Sequence, residues 1–292
     1  MDLETIKTFI TLANLGNFTQ TAQQHMVVQS TVSSRIRDLE EEVGTPLFIR
    51  ERKNLRLTPA GEFFLSYANQ IVTLENYALS GINMMGAYSD SLRIGSVHTL
   101  YDCHLGKYLT DYLKQYPDYS VKVLLDHSRN LLNMLYDNII DVCFTYRKFL
   151  HFNYACIPFR TESILLVTGA GKNHWEDGIS VEELKKLPLF YSDFIEATDS
   201  SWFHHMFPRH TIYPLEIDVG SKLIHFLEAG IGYSFLPESA VSDCIKDGRL
   251  ISIPVLDLPV PKLQSYIILK KESPSKQSVA SLLDLVRQPP HA

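Results

Sequence analysis

A stretch that opens at Thr58-Pro59 limits what this chain can fold into. It carries apolar residues at Phe64, Tyr67, Ala68, Ile71, Leu74, Ala78, Ile82 and Met85. Steps of three and four place these on one side of a helix. Thr58 offers an N-cap oxygen, and Pro59 suits the first helical position. No neighbouring segment in the sequence covers so long a stripe. The spacing therefore predicts a linker helix over 59–89 that stands between two globular parts and pairs with a second copy of itself.

Ahead of this helix, Asp2 is a plausible cap for a first helix with apolar Leu3, Ile6, Phe9, Ile10 and Ala13, ended by Gly16-Asn17. Thr19 is expected to cap a short second helix through Met26. A third helix runs to about Glu42 and is broken by Gly44-Thr45-Pro46. Residues 47–57 read as a hairpin, with Leu47, Phe48, Ile49, Leu55 and Leu57 flanking a charged tip. Three short helices and a basic hairpin make a winged helix-turn-helix over 1–58.

The third helix contains an odd run, Gln29-Ser30-Thr31-Val32-Ser33-Ser34, although Ser and Thr are mediocre interior helix formers. On a helical wheel Val32, Ile36, Leu39 and Val43 form a core face, and Ser30, Ser33, Ser34, Arg37 and Glu41 lie opposite. A solvated face would explain the polarity alone. The short helix before it and the basic hairpin after it favour DNA instead. Small polar side chains let the backbone approach a major groove, where hydroxyls, the Gln29 amide and Arg37 reach bases or phosphates. The candidate DNA-contacting residues are Thr19, Gln29, Ser30, Thr31, Ser33, Ser34 and Arg37, with Arg50, Arg52 and Lys53 on the wing.

A net charge of −6 argues against DNA, but that charge lies outside the first 60 residues. Acids and bases balance within residues 1–60, where positive charge gathers at 35–37 and 50–56, so a local basic face can exist on a neutral domain. A length of 292 residues suffices for two or three compact units. No apolar run approaches a membrane span, and Met1-Asp2-Leu3-Glu4-Thr5 is unlike a secretory signal. Four scattered cysteines, with no CxxC pair, suit a reducing cytoplasm.

From Ser91 onward strand and helix patterns alternate. Segments 92–96, 119–125 and 140–146 read as strands with helices near 104–116 and 129–137 between them, which predicts a parallel sheet. Further strands are expected at 163–169, 188–192, 213–219, 232–237 and 263–270. Helices fit near 181–186, 200–207, 220–229, 238–247 and 276–287. The fold class is α/β: an N-terminal winged helix-turn-helix, a long linker helix, and two α/β subdomains over 90–292. Subdomain I takes 90–160 and 263–292, and subdomain II takes 161–262.

The first 88 residues resemble LysR-type transcriptional regulators. Phe9, Phe18-Thr19, Ala22, Val27, Gln29, Val32-Ser33, Ile36, Leu39-Glu40, Leu47-Phe48, Arg50, Leu57-Thr58 and Ala60-Gly61 carry the resemblance. Later marks agree with it, among them Leu92-Arg93-Ile94-Gly95, Asp141, Ala229-Gly230-Ile231-Gly232 and Leu236-Pro237. The resemblance implies an effector-binding region similar to periplasmic solute-binding proteins, and a homodimer or homotetramer. It implies double-stranded promoter DNA and a small-molecule effector as partners, extending conceivably to RNA polymerase, with no membrane and no cofactor. Some positions depart from the family pattern. Val28 stands in place of a capping Ser, a loss of about 1 kcal/mol that Ser30 is expected to make good. His25 replaces a core Leu, and Ser34 replaces an Arg.

Ligands of parallel α/β sheets sit beyond the C-terminal ends of strands, where helix N-termini attract anions. Strand ends supply the candidate effector residues Ser96, His98, Thr99, Ser128, Tyr146, Arg147, Ser192, Asp193 and Phe194. His98 adds a group that charges near neutral pH. Thr99, Ser128 and Tyr146 match effector-contacting positions of the family. These donors favour a small anionic metabolite, while Asp193 suits an amine, and an amino acid would satisfy both. Closure around the ligand is expected to turn near Arg160–Thr161 and Pro261–Lys262. Minority readings are a metal site from Cys103-His104 with His204, His205 and His210, a redox switch at Cys103, or a solute-binding protein without a DNA role. No GxSxG, P-loop, GxGxxG or HExxH motif marks an enzyme.

Overall fold

The structure is a computed structural model; it describes residues 1–50, 55–84, 87–172, 175, 177–198 and 201–287. The chain divides into two units, Met1–Ala87 and Tyr88–Ala292.

In the first unit, helices α1 (Leu3–Leu15), α2 (Phe18–Gln24) and α3 (Gln29–Val43) precede the wing strands β1 (Phe48–Arg50) and β2 (Leu55–Leu57) and the long α4 (Pro59–Met84). Asp2 caps α1 through a 2.7 Å bond from the Thr5 amide. The cap of α2 is Asn17, not Thr19: its Oδ1 accepts from the amides of Thr19 and Gln20 at 2.9 and 3.1 Å. Asn17 sits in the extended conformation an N-cap requires, whereas Thr19 already lies inside the helix. Ile6, Phe9, Leu12, Val32, Ile36, Leu39, Leu47 and Phe48 form the core, with the Phe9 ring 5.0 Å from that of Phe64. Val43 is exposed, since α3 ends there and Gly44 turns left-handed at φ 77°. Glu40 Oε1 accepts from the amides of Leu47 and Phe48 at 2.7 and 3.0 Å and ties α3 to the wing. Thr58 Oγ1 caps α4 by accepting from the Gly61 amide at 2.9 Å. Gly61 is required there, because a Cβ would run into the Leu47 carbonyl oxygen.

Helix α4 carries two apolar stripes rather than one. Phe64 and Ala68 turn into the core of their own unit, together with Leu65 and Val72. Phe63, Tyr67, Ile71, Leu74, Ala78 and Ile82 face outward and are exposed. Met85 lies outside the described residues. No helix among the described residues is long and apolar enough to cross a membrane.

The second unit opens with β3 (Asp90–Ser96), α5 (His98–Leu100), a π-helical turn (Tyr101–Leu105) and α6 (Gly106–Gln115). Then come β4 (Tyr119–Leu125), α7 (Ser128–Tyr136), β5 (Val142–Thr145), β6 (Tyr154–Glu162) and β7 (Ile164–Gly169). Next are α8 (Val181–Leu184), β8 (Tyr191–Ser192), α9 (Ser201–His204), β9 (Glu216–Ile217), α10 (Ile224–Glu228), β10 (Ser234–Pro237) and α11 (Glu238–Lys246). The chain closes with β11 (Leu250–Ile253), β12 (Leu263–Lys270) and α12 (Gln277–Arg287).

The first sheet runs β4-β3-β5-β12-β6. It is mixed, not parallel: β4, β3 and β5 are parallel, but β12 runs against both β5 and β6. The returning chain enters from the other subdomain and so must meet β5 head-on. The second subdomain holds an antiparallel sheet, β10-β7-β11, and the parallel pair β8 and β9. Strands β6 and β12 lie side by side where the chain crosses between subdomains, with Glu162 opposite Leu263 and Thr161 opposite Gln264. The crossover strands are also tied by a side chain, Gln264 Nε2 donating to the Arg160 backbone carbonyl at 2.9 Å.

Candidate functional sites

The outward face of α3 collects the expected DNA-contacting residues. Gln29, Ser30 and Arg37 are exposed, and Thr31, Ser33 and Ser34 are partly so. Exposed Thr19, at the start of α2, reaches Gln29 Oε1 at 3.5 Å and joins the two helices of the turn. Arg37 is held by its neighbours, with Nη2 3.3 Å from Ser34 Oγ and 3.6 Å from Asp38. Arg35, part of the expected basic cluster, turns the other way and donates to Thr8 Oγ1 at 2.9 Å. Ser30 does not cap α3; its N-cap is Val28, which offers no oxygen, so the first amides carry no side-chain bond. His25 finds a polar partner in place of the core, Thr11 Oγ1 at 2.9 Å. Arg50 is in β1, and Arg52 and Lys53 lie outside the described residues.

In the second unit a cleft of about 900 Å³ opens between the subdomains. His98, Thr99, Ser128, Tyr146, Arg147, Asp193 and Phe194 all line it, as their strand-end positions suggested. Ser96 and Ser192 do not. Both are fully buried, Ser96 Oγ donating to the Val97 carbonyl at 3.0 Å and Ser192 Oγ to the Phe235 carbonyl at 2.8 Å. Strand alternation turns them into the layers behind the cleft.

Tyr146 stands at the back. Its ring meets Phe194 edge to face across the subdomains, centroids 5.8 Å apart. Its buried hydroxyl has no hydrogen-bond partner among the described residues. Burial, with the negative Glu162 and Asp193 nearby, holds the phenol well above its ordinary pKa, so it is a neutral donor. Asp193 opens into the cleft, yet protein atoms crowd it and raise its pKa against a 3.0 Å bond from the Gly220 amide to Oδ1. Arg129, Arg147 and Lys148 line the cleft without an ion-pair partner among the described residues.

Sequence reasoning missed several lining residues. Asp126 accepts from the His127 amide at 2.6 Å and from Asn130 Nδ2 at 2.9 Å, at the entry to α7. His127 Nε2 lies 3.3 Å from Asp218 Oδ2, an ion pair that spans the cleft when the imidazole is protonated. Asp218 follows β9, so the strand-end rule could have found it. Gln264 and Tyr266 come from the crossover strand β12, which that rule overlooks.

The minority readings lose support. Among the described residues no group of three His, Cys, Asp or Glu side chains could hold a metal. His204 instead binds Glu196 at 3.0 Å. Burial pushes the Cys103 and Cys143 thiols up, away from the thiolate a redox switch needs.

Comparison with known proteins places both units in one family. Residues 3–62 match the bacterial regulatory helix-turn-helix protein pattern of the lysR family, and residues 86–289 match the LysR substrate binding domain. The match at the N-terminus sets aside a solute-binding protein without a DNA role. The HTH-type transcriptional regulator YofA of Bacillus subtilis (strain 168) is 27% identical over 242 residues, 82% of this chain and 83% of the relative. CzcR of Bacillus anthracis is 26% identical over 309 residues, covering 100% and 99%. Among solved structures, full-length CbnR complexed with its target DNA superposes with a TM-score of 0.73 at 19% identity, covering 98% of this chain and 99% of that one.

Proposed function

Because the chain belongs to the LysR-type family of DNA-binding transcriptional regulators, with an effector-binding domain after its helix-turn-helix, we propose a division of labour among its residues. Helix α3 enters the major groove, where Gln29, Ser33 and Ser30 read bases, Thr19, Thr31 and Ser34 support them, and Arg37 holds phosphate. Arg50, Arg52 and Lys53 of the wing add backbone or minor-groove contacts. A small anionic metabolite in the cleft controls the whole, and α4 pairs two copies. CbnR, solved on its target DNA, supports the DNA reading. We read the protein as a cytoplasmic regulator and not an enzyme, in keeping with the regulators it resembles.

The observation that carries the effector reading is the cleft itself. Thr99, Ser128 and the Tyr146 hydroxyl converge there beside Arg129, Arg147 and Lys148, which have no ion-pair partner among the described residues. Donors facing a dry cleft stay unsatisfied until something accepts from them, and a carboxylate accepts several bonds at charge-assisted strength. Thr99→Val keeps the shape and removes a hydroxyl. It should abolish the transcriptional response to inducer while leaving basal DNA binding unchanged; a full response would move the site elsewhere. For the DNA face, gel shifts against the protein's own upstream region discriminate roles. Gln29→Ala should cost about 1–3 kcal/mol and relax preference at one base pair. Arg37→Ala should weaken all sequences alike and lower the salt slope by about 1. If Gln29→Ala changed neither affinity nor preference, α3 would not be the reading helix.

A further inference from the structure

The two walls of the cleft carry opposite charge. On the subdomain I wall, His98, Arg129, Arg147 and Lys148 face the opening, joined by His127. The one acid described among that wall's lining residues, Asp126, is engaged by its own helix entry through the His127 amide and Asn130. On the subdomain II wall the acids Asp193, Glu196 and Asp218 line the cleft, and the one base described there, Lys262, sits at the crossover into β12. Glu196 is taken by the Tyr191 hydroxyl at 2.8 Å and by His204 at 3.0 Å. Asp193 is left to face the gap, and Asp218 reaches across it. Asp218 shows how far the attraction reaches, since it meets His127 of the opposite wall at 3.3 Å.

Resting on the reading of this cleft as the effector site, we infer that its ligand is a zwitterion, an amino acid. Its carboxylate sits on the Thr99, Ser128 and Arg147 side, and its ammonium sits against Asp193. A simple anion would satisfy the first wall and bring a like charge toward Asp193, which accepts from the Gly220 amide and has no ion-pair partner among the described residues. A simple cation would meet the reverse problem. An amino acid offsets both walls and draws them together, which couples its binding to closure across the β6–β12 crossover. The Tyr146 hydroxyl, a neutral donor at the back, completes the carboxylate's contacts.

Calorimetric titration of the full-length protein tests this. The probes are the common α-amino acids, β-alanine and γ-aminobutyrate. Each is compared with its counterpart lacking the ammonium, the 2-oxo acid or plain carboxylate. At least one amino acid should bind about tenfold or more tighter than its counterpart. Asp193→Asn, whose amide oxygen can still accept from Gly220, should remove that preference by weakening the amino acid and letting the counterpart, freed of a like charge, bind at least as tightly as before. Asp218→Asn should weaken the same amino acid less. Counterparts that bind as well as amino acids, or an amino-acid preference that survives Asp193→Asn, would overturn the inference. So would a panel in which no amino acid binds. Carboxylate binding that is lost in Thr99→Val but indifferent to Asp193→Asn would leave the anion reading standing and remove only the zwitterion. Amino-acid binding indifferent to both variants would remove the cleft as the site.

Discussion

Tyr146 is the residue whose chemistry is least explained by folding alone. A buried hydroxyl without a partner is a net loss to the free protein, and removing it should not destabilise. Tyr146→Phe should therefore melt at or above the wild-type temperature, with a gain of up to about 1 kcal/mol. The same change should weaken effector binding about tenfold, because the ligand loses a donor in a dry site. A variant that melted clearly lower would show that the hydroxyl is satisfied in the free protein. At this scale part of the cleft was legible before the fold was known. Strand-end position found His98, Thr99, Ser128, Arg147, Asp193 and Phe194 because the topology delivers strand ends to the cleft. It misplaced Ser96 and Ser192, since nearness to a strand end does not say which face a side chain takes. It left Asp218 unseen because the strand read over 213–219 ends in fact at Ile217, and Gln264 unseen because it lies at the start of β12, which a rule about C-terminal strand ends does not reach.

Elements are joined in subdomain I by one carboxylate. Asp141, at the entrance to β5, accepts from Arg93 of β3 at 2.6 Å to Oδ1 and 3.2 Å to Oδ2, and from Lys276 before α12 at 3.0 Å. Burial alone would raise its pKa, but the Arg93 bonds and charge, then those of Lys276, outweigh burial and hold it below its ordinary value. A carboxylate whose folded pKa is depressed contributes stability that is present above its unfolded pKa and lost as pH falls through the folded one. Asp141→Asn should thus destabilise the protein by about 3 kcal/mol near neutrality, because two cations lose their partner. The gap between variant and wild type should narrow below about pH 4, near the unfolded carboxylate value. Urea unfolding at pH 7 and in acid measures both; a gap that persisted undiminished in acid would exclude ionic stabilisation by Asp141. Most elements were legible from period and caps, and two strands were not. Strand β6 contains Pro158, which reads as a break yet is tolerated because β6 is the edge of its sheet. Strand β11 is four residues at the edge of a three-stranded sheet and is followed by Pro254, too short for alternation to stand out.

At the scale of the whole molecule, the proposal that copies of the chain meet through α4 rests on its two stripes, one turned into its own unit and one exposed. Adjacent aromatics, Phe63 and Phe64, point to different fates: Phe64 stacks edge-on against Phe9, and Phe63 is exposed beside Tyr67 with centroids 5.0 Å apart. Reading the sequence as one stripe merged these faces, because a 3.6-residue period with apolar residues on both sides blurs into one broad band. The outward stripe, Phe63, Tyr67, Ile71, Leu74, Ala78 and Ile82, repeats at four, four, three, four and four. Burying its large side chains against a second α4 gains roughly 25 cal/mol for each Å² removed from water. Light scattering should find the full-length protein dimeric or larger at micromolar concentration, and the double variant Ile71→Glu, Leu74→Glu monomeric. Both side chains are exposed in the single chain, so the variant should keep the wild-type circular dichroism. Its affinity for a two-half-site operator should fall by about a hundredfold or more, since two linked heads bind one after the other at high effective concentration and a monomer cannot. Binding to a single half-site should change little, because α3 and the wing are intact. A variant that stayed dimeric with full operator affinity would place the self-association surface outside α4.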